Sequence, residues 1–280
     1  MKKFYGIVGH PVIHSFSPAM HNAAFKTEGI DAEYKIFDIA PDSPESLANF
    51  CYEVDLNHIA GFSVTMPYKQ AIMTYMDHYD PLAKLVGSVN TVKIEAHEDH
   101  GAPLLLGYNT DATGALAALN EKIPLSPGVK VLVLGAGGAA RAIVYGLKEC
   151  EANVHVFNRT MDKAEALADE FEVESIDYRL ITKEAHFDII INATSVGSTP
   201  LPKESILQTH QIDKDTVVMD LVTNPVDTQL LKEAKKAGAR TIDGARMLLH
   251  QAAGQFEIWF GKPAPLKAME EALYAKMKQF

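Results

Sequence analysis

Apolar and polar positions alternate along this chain in two distinct rhythms. From residue 129 the rhythm is regular: Val131-Leu132-Val133-Leu134 is a continuous apolar run, the pattern of a strand buried on both sheet faces. A helix over 139–150, a strand over 153–157 and a charged helix over 163–171 follow. Further buried strands are predicted at 187–192 and 216–221, then a helix over 228–237 and a short strand at Thr241-Ile242. Strands alternating with helices at this spacing predict a doubly wound parallel sheet.

The first hundred residues are less regular. The pattern predicts strands over 4–8, 32–39 and 61–65 and helices over 18–28 and 43–52. Pro18 falls in the first turn of its helix and Gly29 at its end. Residues 89–95 and 104–106 read as a hairpin around a charged turn at 97–101. The last stretch, 245–261 and 267–278, is helical with no strand after it, so it can return to cover the first domain. The expected fold is α/β: a Rossmann-like doubly wound nucleotide-binding domain over 111–244, and a discontinuous α/β substrate domain over 1–110 and 245–280.

Composition narrows the class. With 280 residues and 47% of them hydrophobic, the chain can bury two medium cores and is unlike a disordered sequence. A formal net charge of -10 disfavours nucleic acid and anionic membranes as partners. Any anionic ligand must then be held by local cations and backbone amides. Cys51 and Cys150 lack disulfide or zinc spacing and read as core-filling thiols, so no metal is expected. No apolar run approaches membrane-spanning length and the N-terminus lacks a signal-like apolar region, which places the protein in the cytoplasm.

A glycine loop, Gly135-Ala136-Gly137-Gly138-Ala139-Ala140-Arg141, sits between the 131–134 strand and the next helix, where a dinucleotide fingerprint must lie. Gly135 permits the tight turn, Gly137 lets the backbone approach a pyrophosphate, and the amides near Gly138 and Ala139 supply donors at a helix N-terminus. An NAD site has an acid at the end of the next strand to bind the ribose 2′-hydroxyl. Here that place holds Asn158-Arg159-Thr160, with Lys163 one turn on, a set that pairs a 2′-phosphate and favours NADP.

Hydride transfer to a ketone needs a proton donor, and the reverse reaction needs a base. Lys69, in Ser63-Val64-Thr65-Met66-Pro67-Tyr68-Lys69, and Asp111, in Gly107-Tyr108-Asn109-Thr110-Asp111, are a plausible pair for this. An isolated lysine is nearly always a solvated surface charge. Lys69 differs because it follows a buried-looking strand, at the strand end where α/β sheets bind ligands. Ser15, Ser17, Thr65, Asn90, Asn109 and Gln251 are uncharged hydrogen-bonders suited to a hydroxylated or carboxylated small molecule. Ser15 and Ser17 flank Phe16, so an extended stretch would turn both hydroxyls to one side. Ser17 also reads as a helix N-cap, and the asparagines as turn formers.

Taken in order, these segments resemble the shikimate dehydrogenase family nearly end to end. The carriers are residues 9–22 (Gly9 to Asn22), Val64 to Lys69, Gly87-Ser88-Val89-Asn90-Thr91, 107–111, 135–141, 158–160, Asn192-Ala193-Thr194-Ser195-Val196-Gly197 and Gln251-Ala252-Ala253. The resemblance implies reversible NADPH-dependent reduction of 3-dehydroshikimate to shikimate, on the route to chorismate and the aromatic amino acids. It implies Lys69 as general acid/base with Asp111 as partner. Ser15, Ser17, Thr65, Asn90 and Gln251 would hold the substrate. The glycine loop, Asn158 to Lys163, Thr194, Leu221 and Gly244 would line the cofactor site.

Two positions depart from the pattern. Thr223 stands where many members have a tyrosine that helps hold the substrate carboxylate, so a shorter hydroxyl would take that place. Arg246 stands where a glycine is usual, and could add an anion contact or point to solvent. The alternatives are a paralogue oxidising quinate, often with NAD, and an idle NADP(H)-binding sensor. Ser15, Ser17 and Arg159 argue against the first, and the presence of Lys69 and Asp111 argues against the second. Monomer and homodimer both stay open.

Overall fold

The computed structural model describes residues 2–41, 44–54, 58–96, 101–199 and 201–279, with only the backbone of 44–46. It divides into two units: Met1–Thr110 with Leu249–Phe280, and Asp111–Leu248.

In the first unit, β1 (Lys3–Gly9), α1 (Ser17–Thr27), β2 (Ala32–Asp38), α2 (Pro44–Tyr52) and β3 (Ile59–Val64) are followed by β4 (His78–Tyr79) and α3 (Pro81–Val86). The hairpin strands β5 (Thr91–Glu95) and β6 (Leu104–Tyr108) complete it. The sheet order is β2-β1-β3-β5-β6-β4. β1 pairs in parallel with β2 and β3, whereas β5 is antiparallel to both β3 and β6. The hairpin pairs Glu95 with Leu104 and Thr91 with Tyr108. Of its expected turn, residues 97–100 lie outside the described residues, as do 42–43 before α2.

The strand faces explain the burial. Val8, Phe62, Val64 and Val92 pack with Leu47, Cys51 and Ile72. Tyr5 forms an aromatic cluster with Phe25 and Trp259, at ring distances of 5.4 and 5.0 Å. A methyl at Gly61 would fall 2.6 Å from Trp259 Nε1, so glycine is what lets the indole lie on the strand and donate to the Val92 carbonyl at 3.0 Å.

The second unit begins with α4 (Asp111–Asn120) and continues β7 (Lys130–Leu134), α5 (Gly138–Glu149), β8 (Asn153–Phe157), α6 (Met161–Phe171), β9 (Glu174–Ser175), β10 (Ile189–Asn192), β11 (Val217–Asp220), α7 (Gln229–Ala237) and β12 (Arg240–Ile242). Its sheet runs β12-β11-β10-β7-β8-β9, every recorded pairing parallel. Read from the other edge, this is the 3-2-1-4-5-6 order of a Rossmann sheet, with the switch point between β7 and β10. Val131 and Val133 enter one core and Leu132 and Leu134 the other, which is why the run has no polar break. Burying each such side chain contributes about 1.5–3 kcal/mol.

The chain then enters α8 (Gly244–Phe260) and α9 (Leu266–Met277). α9 packs on α1 within the first unit, as the strandless C-terminus leads one to expect. Sequence periodicity assigns no element to β4, α3, β9 or α4. The first three are short. α4 is rich in alanine and carries Leu116 and Ala117 outside its buried face, so its faces differ too little in polarity to leave an amphipathic stripe.

Candidate functional site

In the first unit, the candidates gather at the carboxyl ends of β1 and β3. Thr65 N–H donates to the Val8 carbonyl at 2.9 Å, and His10 N–H to Met66 at 3.0 Å, so the two strand ends stay paired past their last ladder residues. Lys69 is half-buried one turn later, and its carbonyl accepts from Val89 N–H at 2.8 Å. That bond fixes the Lys69 backbone one residue from Asn90. Val64 N–H donates to the Asn90 carbonyl at 2.8 Å, completing the join between Thr65, Lys69 and Asn90.

Asn90 does more than form a turn. Its buried Oδ1 accepts from Thr110 N–H at 2.9 Å and from the Thr91 hydroxyl at 2.8 Å, while Nδ2 donates to Thr110 Oγ1 at 3.0 Å. The residue immediately before Asp111 is thereby held rigid. Asn109 is held likewise, donating to the Ser88 carbonyl at 2.9 Å. Asp111 itself is buried in the first turn of α4, where the helix dipole favours a carboxylate.

Two local expectations at the serines need correction. Phe16 has helical backbone angles, φ -84° and ψ -14°, so residues 15–17 are not extended. Ser17 is the first residue of α1 rather than its N-cap, and the N-cap residue, Phe16, offers no side-chain acceptor. The Ser15 hydroxyl instead accepts Ser17 N–H at 3.2 Å. The Ser17 hydroxyl bonds Tyr34, whose burial raises its phenol well above the ordinary range.

Beneath Ser17 and Asn90 lies a buried polar network with no counterpart among the sequence candidates. The Ser63 hydroxyl donates to Gln255 Oε1 at 2.8 Å and is 2.7 Å from the Tyr34 hydroxyl. Gln255 Nε2 donates to the Asn90 carbonyl at 3.4 Å, which orients its amide, and His21 Nε2 lies 3.2 Å from Oε1. His21 stacks on Tyr34 at 4.4 Å, and burial pushes its imidazole down to about 3. Gln251 precedes Gln255 by four residues on α8, so the two share a helix face. That i,i+4 glutamine pair, flanked by the apolar residues Ala252, Ala253 and Phe256, is the signal that could have found Gln255.

In the second unit, the glycine loop follows β7 at the switch point. Gly135 has φ +119°, a conformation L side chains rarely adopt, and a Cβ there would press Thr194 Cγ2 at 3.0 Å. Gly137 differs. Its φ is -88° and a Cβ would meet no protein atom within 4 Å, so neither backbone nor packing demands a glycine there. Open space in front of a helix N-terminus, kept clear by the absent side chain, fits a pyrophosphate approaching the backbone amides of Gly138 and Ala139. Ala136 completes the turn.

At the end of β8, Asn158 Nδ2 donates to the Thr160 carbonyl at 2.9 Å. Arg159 and Lys163 flank that turn with exposed side chains, and Thr160 is the N-cap residue of α6. The donors there are cationic, as a 2′-phosphate requires. Thr194 is set by Asn192, whose Oδ1 accepts the Thr194 amide at 3.1 Å and hydroxyl at 2.7 Å. Gly244 is buried, and a Cβ on it would fall 2.7 Å from the Leu221 carbonyl, so the start of α8 rests directly on the loop after β11.

The two departures resolve differently. Arg246 does not simply point to solvent: its guanidinium forks onto Glu121, with Nε donating to Oε2 at 2.8 Å and Nη2 to Oε1. Thr223 is half-buried in the loop after β11. Among the described residues no helix is long and apolar enough to cross a membrane.

Comparison with known proteins agrees along the whole chain. Residues 7–92 match the shikimate dehydrogenase substrate binding domain, 118–246 the shikimate / quinate 5-dehydrogenase model, and 244–274 the shikimate 5′-dehydrogenase C-terminal domain. The chain is 43% identical to the shikimate dehydrogenase (NADP(+)) of Methanocaldococcus jannaschii, with 98% of this chain and 97% of that one covered. A solved shikimate dehydrogenase in complex with NADP+ superposes with a TM-score of 0.90 at 41% identity, covering 99% and 96%. The Thermus thermophilus enzyme, solved with NADP(H) and shikimate, gives 0.85 at 35% identity, covering 98% and 99%. With its Rossmann strand order, its open glycine cradle and these full-length likenesses, the chain belongs to the shikimate dehydrogenase family.

Proposed function

We propose that this protein reversibly reduces 3-dehydroshikimate to shikimate with NADPH, Lys69 serving as general acid and Asp111 as its partner. The observation that carries this reading is the fixing of Lys69 against Val89, beside Asn90 and Thr65 at one strand end. When bound, NADPH supplies the hydride. Lys69 gives its ammonium proton to the oxygen of the former carbonyl, and in the oxidative direction the neutral amine takes that proton back. Asp111 favours the charged lysine and orients it. Ser15, Ser17, Thr65, Asn90 and Gln251 hold the substrate's hydroxyls and carboxylate, with Thr223 offering a shorter hydroxyl where a phenol is common.

On the cofactor side, Gly135, Ala136, Gly137, Gly138 and Ala139 cradle the pyrophosphate. Asn158, Arg159, Thr160 and Lys163 receive the 2′-phosphate, and Thr194, Leu221 and Gly244 line the nicotinamide end. The enzyme works in the cytoplasm. The test is a steady-state comparison of shikimate and quinate, each with NADP+ and NAD+, for wild type and Lys69→Ala. Shikimate with NADP+ should give the highest kcat/KM. Lys69→Ala should lose about 10²–10⁴-fold in kcat, the usual worth of general acid–base catalysis, with NADPH affinity kept. Preference for quinate with NAD+, or normal turnover in Lys69→Ala, would overturn the assignment.

A further inference from the structure

Carboxylates are seldom buried without partners, and one is buried where two loops leave the second sheet. Asp220 ends β11 and is fully shielded from solvent. Its Oδ2 accepts the Thr228 hydroxyl at 2.6 Å, and its Oδ1 accepts the Asn192 amide at 2.9 Å and Val222 N–H at 3.0 Å. The polarity of the first bond is settled by the helix that follows. Thr228 Oγ1 accepts Leu231 N–H at 3.3 Å as the N-cap of α7, so its proton is left for Asp220. All three neighbours are donors, which suits the ionised form, while burial raises the carboxyl above its usual range.

A helix cap alone would involve only Thr228. The other oxygen of Asp220 binds both loops. Asn192 gives its amide protons to Asp220 and, at 3.2 Å, to the Val196 carbonyl, which leaves Oδ1 facing the amide and hydroxyl of Thr194. Thr194 Oγ1 in turn accepts Val196 N–H at 3.1 Å, so the hydroxyl has one orientation. The Val222 amide bound by Asp220 belongs to the segment on which Gly244 rests, a Cβ there falling 2.5 Å from the Val222 carbonyl. Thr194, Leu221 and Gly244 are therefore all referenced to one side chain that faces no ligand itself.

We infer that Asp220 is a positioning residue for the dinucleotide: through Asn192 it orients Thr194, and through the Val222 amide it sets the path of the loop carrying Leu221. The inference rests on the assignment of Thr194, Leu221 and Gly244 to the cofactor site. Asp220→Asn keeps the shape but removes the charge, and either orientation of its amide sets an N–H against a donor, Thr228 on one side or Asn192 and Val222 on the other. Asn192→Ala leaves the Thr228 and Val222 bonds of Asp220 intact and cuts the links to Thr194 and to the Val196 carbonyl beside it.

The experiment is titration of NADPH fluorescence, with KM for shikimate measured alongside, in Asp220→Asn, Asn192→Ala, Thr194→Ala and the double variant Asn192→Ala/Thr194→Ala. Asp220→Asn and Asn192→Ala should each weaken NADPH about tenfold and change the shikimate KM by less than about twofold, a split that general loss of structure would not give. The double variant should bind NADPH no worse than the weaker single one, because both changes break one route. Asn192→Ala carries the test if Asp220→Asn does not fold. NADPH affinity within about twofold of wild type in Asn192→Ala, or multiplying losses in the double variant, would overturn the inference. Gly137→Ala separates the two readings. If it weakens NADPH while Asp220→Asn and Asn192→Ala do not, only the positioning role falls; if Gly137→Ala and Thr194→Ala also bind normally, the cofactor-site assignment falls.

Discussion

Ser63 donates its hydroxyl to Gln255 Oε1 at 2.8 Å across 192 residues of sequence, and this bond holds α8 to the strand that leads to Lys69. Gln255 also receives His21 and donates to the Asn90 carbonyl. Gln255→Leu keeps the volume and removes every one of these bonds, stranding the His21 N–H and leaving the buried Ser63 hydroxyl only the Tyr34 hydroxyl. Each orphaned group costs about 1–3 kcal/mol, so the variant should lose about 3 kcal/mol overall. A lower urea midpoint with an unchanged slope is the expected result. A midpoint equal to wild type would mean the network contributes nothing.

Gly135 and Gly137 occupy one loop for different reasons, and alanine separates them. Gly135→Ala must adopt positive φ and press Thr194, so it should cost about 1–3 kcal/mol of stability as well as cofactor affinity. Gly137→Ala meets open space and keeps an allowed φ, so stability should change by only about 0.5 kcal/mol, the scale of an N-cap substitution. Its methyl nevertheless fills the space kept for a pyrophosphate, and NADPH should bind at least about tenfold more weakly. Equal melting temperatures for the two variants would remove the distinction.

The difference between these glycines marks what could be read from sequence. Strand–GxG–helix is local, so the loop and the strands around it were legible from periodicity and spacing. So were the buried runs Val131–Leu134 and Ile189–Asn192, which need both sheet faces covered. Residues whose role depends on distant partners were not. His21, Tyr34, Ser63 and Gln255 meet only in the folded first unit. Asp220 carried one readable sign, an acid closing an otherwise apolar strand, but its partners Asn192 and Thr228 lie 28 and 8 residues away. Arg246 was legible as a departure, whereas its pairing with Glu121, 125 residues distant, was not. Ser17 was misplaced because a serine before proline fits the N-cap rule, which the Phe16 backbone overrides.

Gly61 offers a packing test with its own reporter. The chain has one tryptophan, Trp259, and its indole occupies the space a Cβ at residue 61 would need. Gly61→Ala should force the ring off the strand and break its bond to Val92. Overpacking costs about 1–3 kcal/mol and the lost hydrogen bond about 1 more, which together lower Tm by several degrees. Trp259 emission should shift to the red as the ring loosens. Unchanged emission and Tm would show that the strand yields without strain.

His21 sets a pH dependence whose sign can be worked out. Protonation would place a charged ring, with a second N–H at Nδ1, where no polar partner lies among the described residues. Burial accordingly pushes its pKa down from 6.5 to about 3 in the fold. A depressed folded pKa contributes stability that is fully present above the unfolded pKa and is lost as pH falls. Below about 6.5 the unfolded chain binds a proton that the folded chain refuses, so stability falls by up to about 1.4 kcal/mol per pH unit toward about 3. His21→Phe keeps the ring stacked on Tyr34, while Ser63 still donates to Gln255. Carboxylates titrate equally in both proteins, so the difference between wild type and variant isolates His21. Urea melts at pH of about 7, 6 and 5 should show the wild type losing about 1 kcal/mol per unit more than His21→Phe at the acid end. Parallel stability curves would mean that His21 becomes protonated inside the fold.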